Sequence, residues 1–251
     1  MELWLVDLAR CGPALAELER ETPRLADDER ARGGAMRDPV VRRERIAAYT
    51  ALRILLERAV GPRCRRRAFL RGLAGAPRLA DGGARFSLSH TEGFALIGLA
   101  AALPVGVDVE RARRVALPPG RRAELCAAAV GIAGASLPDA EADHAMVQAW
   151  VRLEAFTKAR GRALLATLAD LGLRGTGLPP PPPARVEAAA RALVGQAGLA
   201  VSDVSLPAGL LGAAAIGVGA RLPAARALPA DRAGLDELLG RPWLHRERGS
   251  G

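Results

Sequence analysis

Three stretches decide the fold: Arg85-Phe86-Ser87-Leu88-Ser89-His90, Phe94-Ala95-Leu96-Ile97-Gly98-Leu99-Ala100-Ala101 and Val105-Gly106-Val107-Asp108-Val109-Glu110. Each is a short apolar or alternating run, bounded by Thr91-Glu92-Gly93 and by Leu103-Pro104. Such runs between turn residues predict successive strands of a meander. Working outward, Trp4 to Leu8 reads as a strand and Pro13 to Arg20 as an amphipathic helix. In Arg42 to Val60, Ile46, Tyr49, Leu52, Leu55 and Leu56 recur at helical spacing, and Gly61-Pro62 ends the run. Phe69 to Leu79 is turn-rich. Downstream, Ser136-Leu137-Pro138-Asp139 resembles a capping box opening a helix that runs to about Ala159, before Gly161. The prolines Pro179 to Pro183 predict a stiff connector. A short helix is expected over Arg185 to Leu193, with strands near Val201 to Leu206 and Leu211 to Gly217. The Pro-, Arg- and Gly-rich segment beyond Leu222 is expected to be peripheral. The pattern is one of mixed strands and helices, an α+β chain.

Half of the 251 residues are hydrophobic, enough to bury a core. The longest apolar stretches, such as Leu206 to Val218, are shorter than the roughly 20 residues of a spanning helix. Met1-Glu2-Leu3-Trp4 lacks the basic-then-apolar start of a signal peptide. Cys11, Cys64 and Cys126 match neither a disulfide framework nor a metal knuckle, so reduced thiols in the cytoplasm are expected. The net charge is +9, and Arg30 to Arg71 holds thirteen arginines against Asp38, Glu44 and Glu57. A basic block of this kind suits a phosphorylated ligand, an anionic surface or an acidic partner, or is simply a solvated face. Aromatic residues are only 3% of the chain, which leaves little stacking surface for single-stranded nucleic acid. Lys158 is the sole lysine beside 35 arginines. An ammonium is a compact, tunable charge and a guanidinium a permanently charged fork, so a lone lysine points to a position where the fork does not serve.

Three clusters carry chemistry. Ser87 and Ser89 share a strand face, with His90 expected at the turn beside them, and hydroxyls with an imidazole can bind phosphate oxygens. Asp108 and Glu110, two apart on a strand, project from one face while Val107 and Val109 fill the other. Two carboxylates held together suit a hard cation such as Mg²⁺. Trp150, Glu154 and Lys158 lie at i, i+4 and i+8, one stripe along a helix. Taken singly, each has an ordinary structural reading: turn residues, a solvated strand, a surface Glu–Lys pair.

Their order and spacing are more specific. Phe86-Ser87-Leu88-Ser89-His90-Thr91, then Val105-Gly106-Val107-Asp108-Val109-Glu110, then Trp150-x-x-x-Glu154-Ala155-x-x-Lys158 resembles the signature of the surfactin-type 4′-phosphopantetheinyl transferases. The resemblance covers about Leu25 to Gly161, with a weaker echo over Gly209 to Gly217. It implies a fold of two similar α+β halves about a pseudo-twofold axis with coenzyme A between them, as a monomer. The halves would be residues 1–103, with coenzyme A phosphate contacts, and 104–222, with the metal and catalytic residues; residues 223–251 would form the tail. The implied activity is Mg²⁺-dependent transfer of phosphopantetheine from coenzyme A to a serine of an apo acyl or peptidyl carrier protein, with no nucleic acid or membrane partner. Asp108, Glu110 and Glu154 would hold the metal. Glu154 would also help deprotonate the serine, and Lys158 would neutralise charge on the departing 3′,5′-ADP. Ser89, His90, Lys158, Arg45 and Arg30 or Arg32 would contact coenzyme A. Departures from the family pattern are Leu153 and Ala76 in place of lysines, Ser87 in place of asparagine and Thr91 in place of serine. Ala76 and Leu153 leave open a non-catalytic relative that binds a carrier protein or coenzyme A without transfer.

Overall fold

The computed structural model describes residues 1–71, 77–137, 143–173, 181–241 and 243. In chain order the elements are β1 (Glu2–Asp7), α1 (Leu8–Glu21), α2 (Asp27–Gly34), α3 (Pro39–Val60), β2 (Leu70–Arg71), β3 (Pro77–Arg78), β4 (Arg85–Thr91), β5 (Phe94–Ala100) and β6 (Val105–Arg111). There follow α4 (Pro119–Ala133), α5 (Asp143–Arg160), α6 (Leu164–Asp170), α7 (Pro183–Ala197), β7 (Leu199–Asp203), β8 (Leu210–Gly217), β9 (Ala225–Ala227) and α8 (Arg232–Gly240). The α+β class follows directly from this order. The chain divides into two compact units. The first takes residues 2–70, 77–102 and 225–251, and the second takes residue 1, 71–76 and 103–224.

In the first unit the strands run in the order β4-β5-β1-β9, with β1 antiparallel to β5 and parallel to β9. Asp7 starts α1, its carboxylate accepting from the amides of Ala9 and Arg10 at 3.1 and 3.0 Å, so the helix begins five residues before the Pro13 start expected. Asp38 caps α3 in the same way, with Pro39 at its first position, and Gly61 at φ 86° ends it. Leu52, Leu55 and Leu56 of α3 pack with Leu15 and Leu18 of α1 and with Val6, Phe86, Ile97 and Leu99 of the sheet. Burying each such side chain stabilises the fold by about 1.5–3 kcal/mol.

Beyond residue 222, the described residues 223–241 and 243 are not peripheral. Strand β9 extends the sheet beside β1, Leu228 N donates to Leu5 O at 2.8 Å, and Leu228, Leu235, Leu238 and Trp243 are buried in the first core. Four isolated apolar side chains in a Pro- and Arg-rich stretch are enough to anchor it. The thirteen-arginine block is also less solvated than its composition suggests. Arg53 is fully buried and paired with Glu29 at 2.8 Å, donates to the carbonyls of Cys64 and Arg67, and lies 3.9 Å over the Phe69 ring. Arg58 pairs with Glu2, and Arg65 shares Glu57 with Arg24.

The second unit holds a three-stranded antiparallel sheet, β6-β8-β7, covered by α4, α5 and α7. The two units repeat one connectivity. A strand (β1 or β6) leads into helices, then into an antiparallel strand pair (β4–β5 or β7–β8), and the second member of that pair returns beside the first strand. The capping box expected at Ser136 to Asp139 falls partly in residues 138–142, outside the described residues, as do Ala76 and the first part of the proline run. Cys11, Cys64 and Cys126 are buried and not joined in disulfides. No helix among the described residues is long and apolar enough to cross a membrane.

Candidate functional site

The second and third clusters meet because of a glycine. On β6, strand alternation places Gly106, Asp108 and Glu110 on the face that α5 covers. A Cβ at Gly106 would lie 2.0 Å from Ala155 O and 2.5 Å from Ala159 N. Only a residue without a side chain lets helix and strand backbones approach this closely. Ala155 and Ala159 supply the small surface on the helix side. The carboxylate face of β6 is therefore the helix-covered one. Val107 and Val109 are buried on the opposite face and stand outside the cluster formed by the helices.

This contact places Lys158 beside β6. Among the described residues its ammonium donates to Asp108 Oδ1 at 2.7 Å and to Val107 O at 3.2 Å, fifty residues back in the chain rather than along its own helix. Asp108 is buried, while Lys158 keeps about a third of its side chain exposed. Trp150, Glu154 and Lys158 form the half-exposed stripe of a helix otherwise buried over Ala145 to Thr157. Leu153, where a lysine would match the family pattern, is fully buried in the second core, so an apolar side chain suits that position.

The electrostatics tie the carboxylates together. Burial pushes the Glu154 carboxyl above the usual range; the charge of Asp108 raises it further, Lys158 pulls it back, and Glu110 raises it again. Three carboxylates thus share one field with a single ammonium. As donors they are all hard oxygens, the chemistry that suits Mg²⁺, so the residues present fit the ion. Among the described residues, no three His, Cys, Asp or Glu side chains already stand together as a metal-holding group. Lys158 is a cation paired with Asp108.

In the first unit, Ser87 and Ser89 are buried on one face of β4 and His90 is exposed. The strand runs one residue past His90, to Thr91, which pairs with Phe94 across a Glu92-Gly93 turn with Gly93 at φ 76°. His90 therefore sits on the strand, on the face opposite Ser89, and not in the turn. Of the basic candidates, Arg30 is engaged in the fold: it donates to Leu25 O at 2.9 Å and pairs with Glu19 and Asp27 at 3.6 and 3.5 Å. Arg32 and Arg45 differ. They flank the seam where α2 meets α3, at Gly33 and Ile46. Arg32 Nη1 pairs with Asp28 at 2.9 Å, and Arg45 Nη1 reaches Met36 Sδ at 3.5 Å. Yet Arg32 Nε and Nη2 and Arg45 Nε are buried with no hydrogen-bond partner among the described residues. Buried N–H donors left without acceptors are costly, and an anion would satisfy them.

Two features escaped the reading of the sequence. Gly106 was visible within its motif, but its close packing required the helix to be seen. Arg152 and Gln148 are buried on the other side of α5 and bond to the more exposed Asp203, and nothing in the spacing of residues 148 and 152 separates them from surface positions. Compared with known proteins, the chain matches no family model and no curated relative.

Proposed function

We propose that this chain is a 4′-phosphopantetheinyl transferase of the two-halved type, acting on coenzyme A and an apo acyl or peptidyl carrier protein. The observation that carries the reading is the approach of β6 and α5 at Gly106, which gathers Asp108, Glu110, Glu154 and the sole lysine from two distant motifs. A surface Glu–Lys pair along the helix would have needed none of this. The burial of Leu153 gives one of the two departures that favoured a non-catalytic relative a packing reason.

In the proposed reaction the carrier serine Oγ attacks the phosphorus that bears the pantetheine. A P–O bond forms, the pyrophosphate P–O bond breaks, and 3′,5′-ADP leaves. Glu154, whose raised pKa makes it a stronger proton acceptor than an ordinary carboxylate, takes the serine proton directly or through one water. Lys158 offsets the charge that develops on the departing phosphate. Asp108 orients Lys158 through the 2.7 Å bond. Mg²⁺, held by Asp108, Glu110 and Glu154, would supply charge neutralisation of the pyrophosphate oxygens. In the first unit, Arg32 and Arg45 carry buried donors with no hydrogen-bond partner among the described residues, which coenzyme A phosphate would satisfy, and Ser89 and His90 remain candidates for the same ligand.

The test is release of 3′,5′-ADP from coenzyme A, followed by chromatography, with an apo carrier protein and Mg²⁺. Release that requires carrier, metal and Asp108 supports the reading. Coenzyme A binding without release under all carrier types would replace it with the non-catalytic one.

A further inference from the structure

The close contact at Gly106 sets how near α5 comes to β6, but it does not set the rotation of the helix about its own axis. On the far side, polar contacts add to the core packing of Leu153 and Phe156 in restraining that rotation. Arg152 is 2% exposed, and its guanidinium grips Asp203 at the end of β7 with two bonds of 2.7 Å. It also donates to Ala135 O at 2.8 Å and Ser136 O at 3.4 Å. Gln148, one helical turn earlier, donates to the same Asp203 oxygen at 2.6 Å and to Gly212 O on β8 at 3.3 Å. A planar fork with two carboxylate contacts and two carbonyl contacts fixes orientation as well as distance.

Residues 152 and 154 project about 200° apart around a helix. The Arg152 grip at the β7 edge of the sheet and the Glu154–Lys158 stripe at the β6 edge therefore lie on opposite sides of α5, and a turn of the helix moves both. With side-chain heads about 5 Å from the axis, a 20° rotation shifts them by about 2 Å. That is enough to break a 2.7 Å bond between Lys158 and Asp108.

We propose that Arg152, held by Asp203 and Gln148, is a positioning residue that sets the rotation of α5 and so keeps Lys158 on Asp108. Its effect on transfer rests on the proposed function; its effect on the Lys158–Asp108 contact does not. Because Lys158 is the sole lysine, a protein grown with ¹⁵Nζ-labelled lysine gives one side-chain ammonium signal. The full-length chain is compared with Arg152→Met, Asp203→Asn and, as the reference for a broken contact, Asp108→Asn. Asp203 is more exposed than Arg152, so Asp203→Asn serves if Arg152→Met does not fold.

The expected result is a Lys158 signal in both variants displaced toward that of Asp108→Asn, with far-UV circular dichroism unchanged. A folded variant whose Lys158 signal coincides with the parent's overturns the proposal. If the parent transfers phosphopantetheine, kcat falls by as much as about 100-fold while KM for coenzyme A holds, the signature of a misplaced catalytic group. A folded variant that keeps the parent's kcat also overturns it. A parent with no transfer activity counts against the proposed function alone, and the Lys158 signal still decides this proposal.

Discussion

Replacing Gly106 with alanine places one methyl group where the structure has backbone. Its Cβ would stand 2.0 Å from Ala155 O and 2.5 Å from Ala159 N, against an ordinary contact of about 3.5 Å. Neither obstacle is a flexible side-chain end, so α5 and β6 must separate by about 1.5 Å to restore that contact. Overpacking of a dense core costs about 1–3 kcal/mol, and with backbone on both sides the upper end is expected. The same displacement stretches Lys158–Asp108 from 2.7 Å to about 4 Å, beyond hydrogen-bond range. Urea unfolding followed by fluorescence should show a lower midpoint for the second unit, in which Trp150 is a tryptophan reporter. Gly12→Ala is the control: it lies in α1 with nothing within 4 Å of the added methyl, and should be neutral or stabilise by about 0.5–1 kcal/mol. A Gly106→Ala protein within about 0.5 kcal/mol of the parent, the range of inert surface changes, would refute the close-packing argument.

Other outcomes follow from the same structure. The raised Glu154 pKa means the folded state disfavours the carboxylate, so its contribution to stability is present at low pH and lost as pH rises through the folded pKa. Glu154→Gln should therefore raise Tm at pH 7 in metal-free buffer while suppressing transfer, the gain vanishing below the usual carboxylate range; a lower Tm at pH 7 would contradict this. Arg53→Ala leaves Glu29 buried without its partner and should cost about 3–5 kcal/mol in denaturant unfolding, whereas replacing both residues by apolar ones of similar volume should cost much less. Equal losses would count against a pair held together by burial. Burial pushes the Cys64 thiol up to about 11 from 9.0. Stability from this group is intact below pH 9 and falls by up to about 1.4 kcal/mol per pH unit between there and pH 11. Native Cys64 should accordingly resist iodoacetamide at pH 8, and prompt alkylation of the folded protein would be the opposing result.

Much of the fold is written in periodicity and punctuation. The three strands from Arg85 to Glu110 and helix α3 are legible because alternation, three-to-four spacing, the Gly93 turn and the Gly61 stop act locally; the expected meander is not what they form, since β4 pairs with β5 while β6 pairs with β8 in the other sheet. Helix α2 was not anticipated: Asp27 to Gly34 has almost no apolar residue and rests on Glu29, whose carboxylate accepts from Ala26 N and pairs with Arg53. The last strand was missed for a different reason. Three residues pairing with a strand more than two hundred positions earlier leave no local mark, and Leu228, Leu235 and Trp243 look like scattered apolar residues until their shared core is seen. In the candidate site, the residue types were legible and the contacts were not. Asp108, Glu154 and Lys158 stand out by motif, but which of them touch depends on Gly106 and on the grip of Arg152. Likewise thirteen arginines read as one charged block, and only their burial separates Arg53, which holds the core, from Arg32 and Arg45, which have donors to offer a ligand.

The most direct measurement of the central claim is the intact mass of a purified apo carrier protein after incubation with this chain, coenzyme A and Mg²⁺, beside Asp108→Ala and Lys158→Arg. The account predicts a gain of one phosphopantetheine, abolished by Asp108→Ala and reduced by Lys158→Arg, since a guanidinium does not reproduce a point-like ammonium. An unchanged carrier mass across fatty-acid, polyketide and nonribosomal-peptide carriers, with coenzyme A bound and the protein folded, would contradict it.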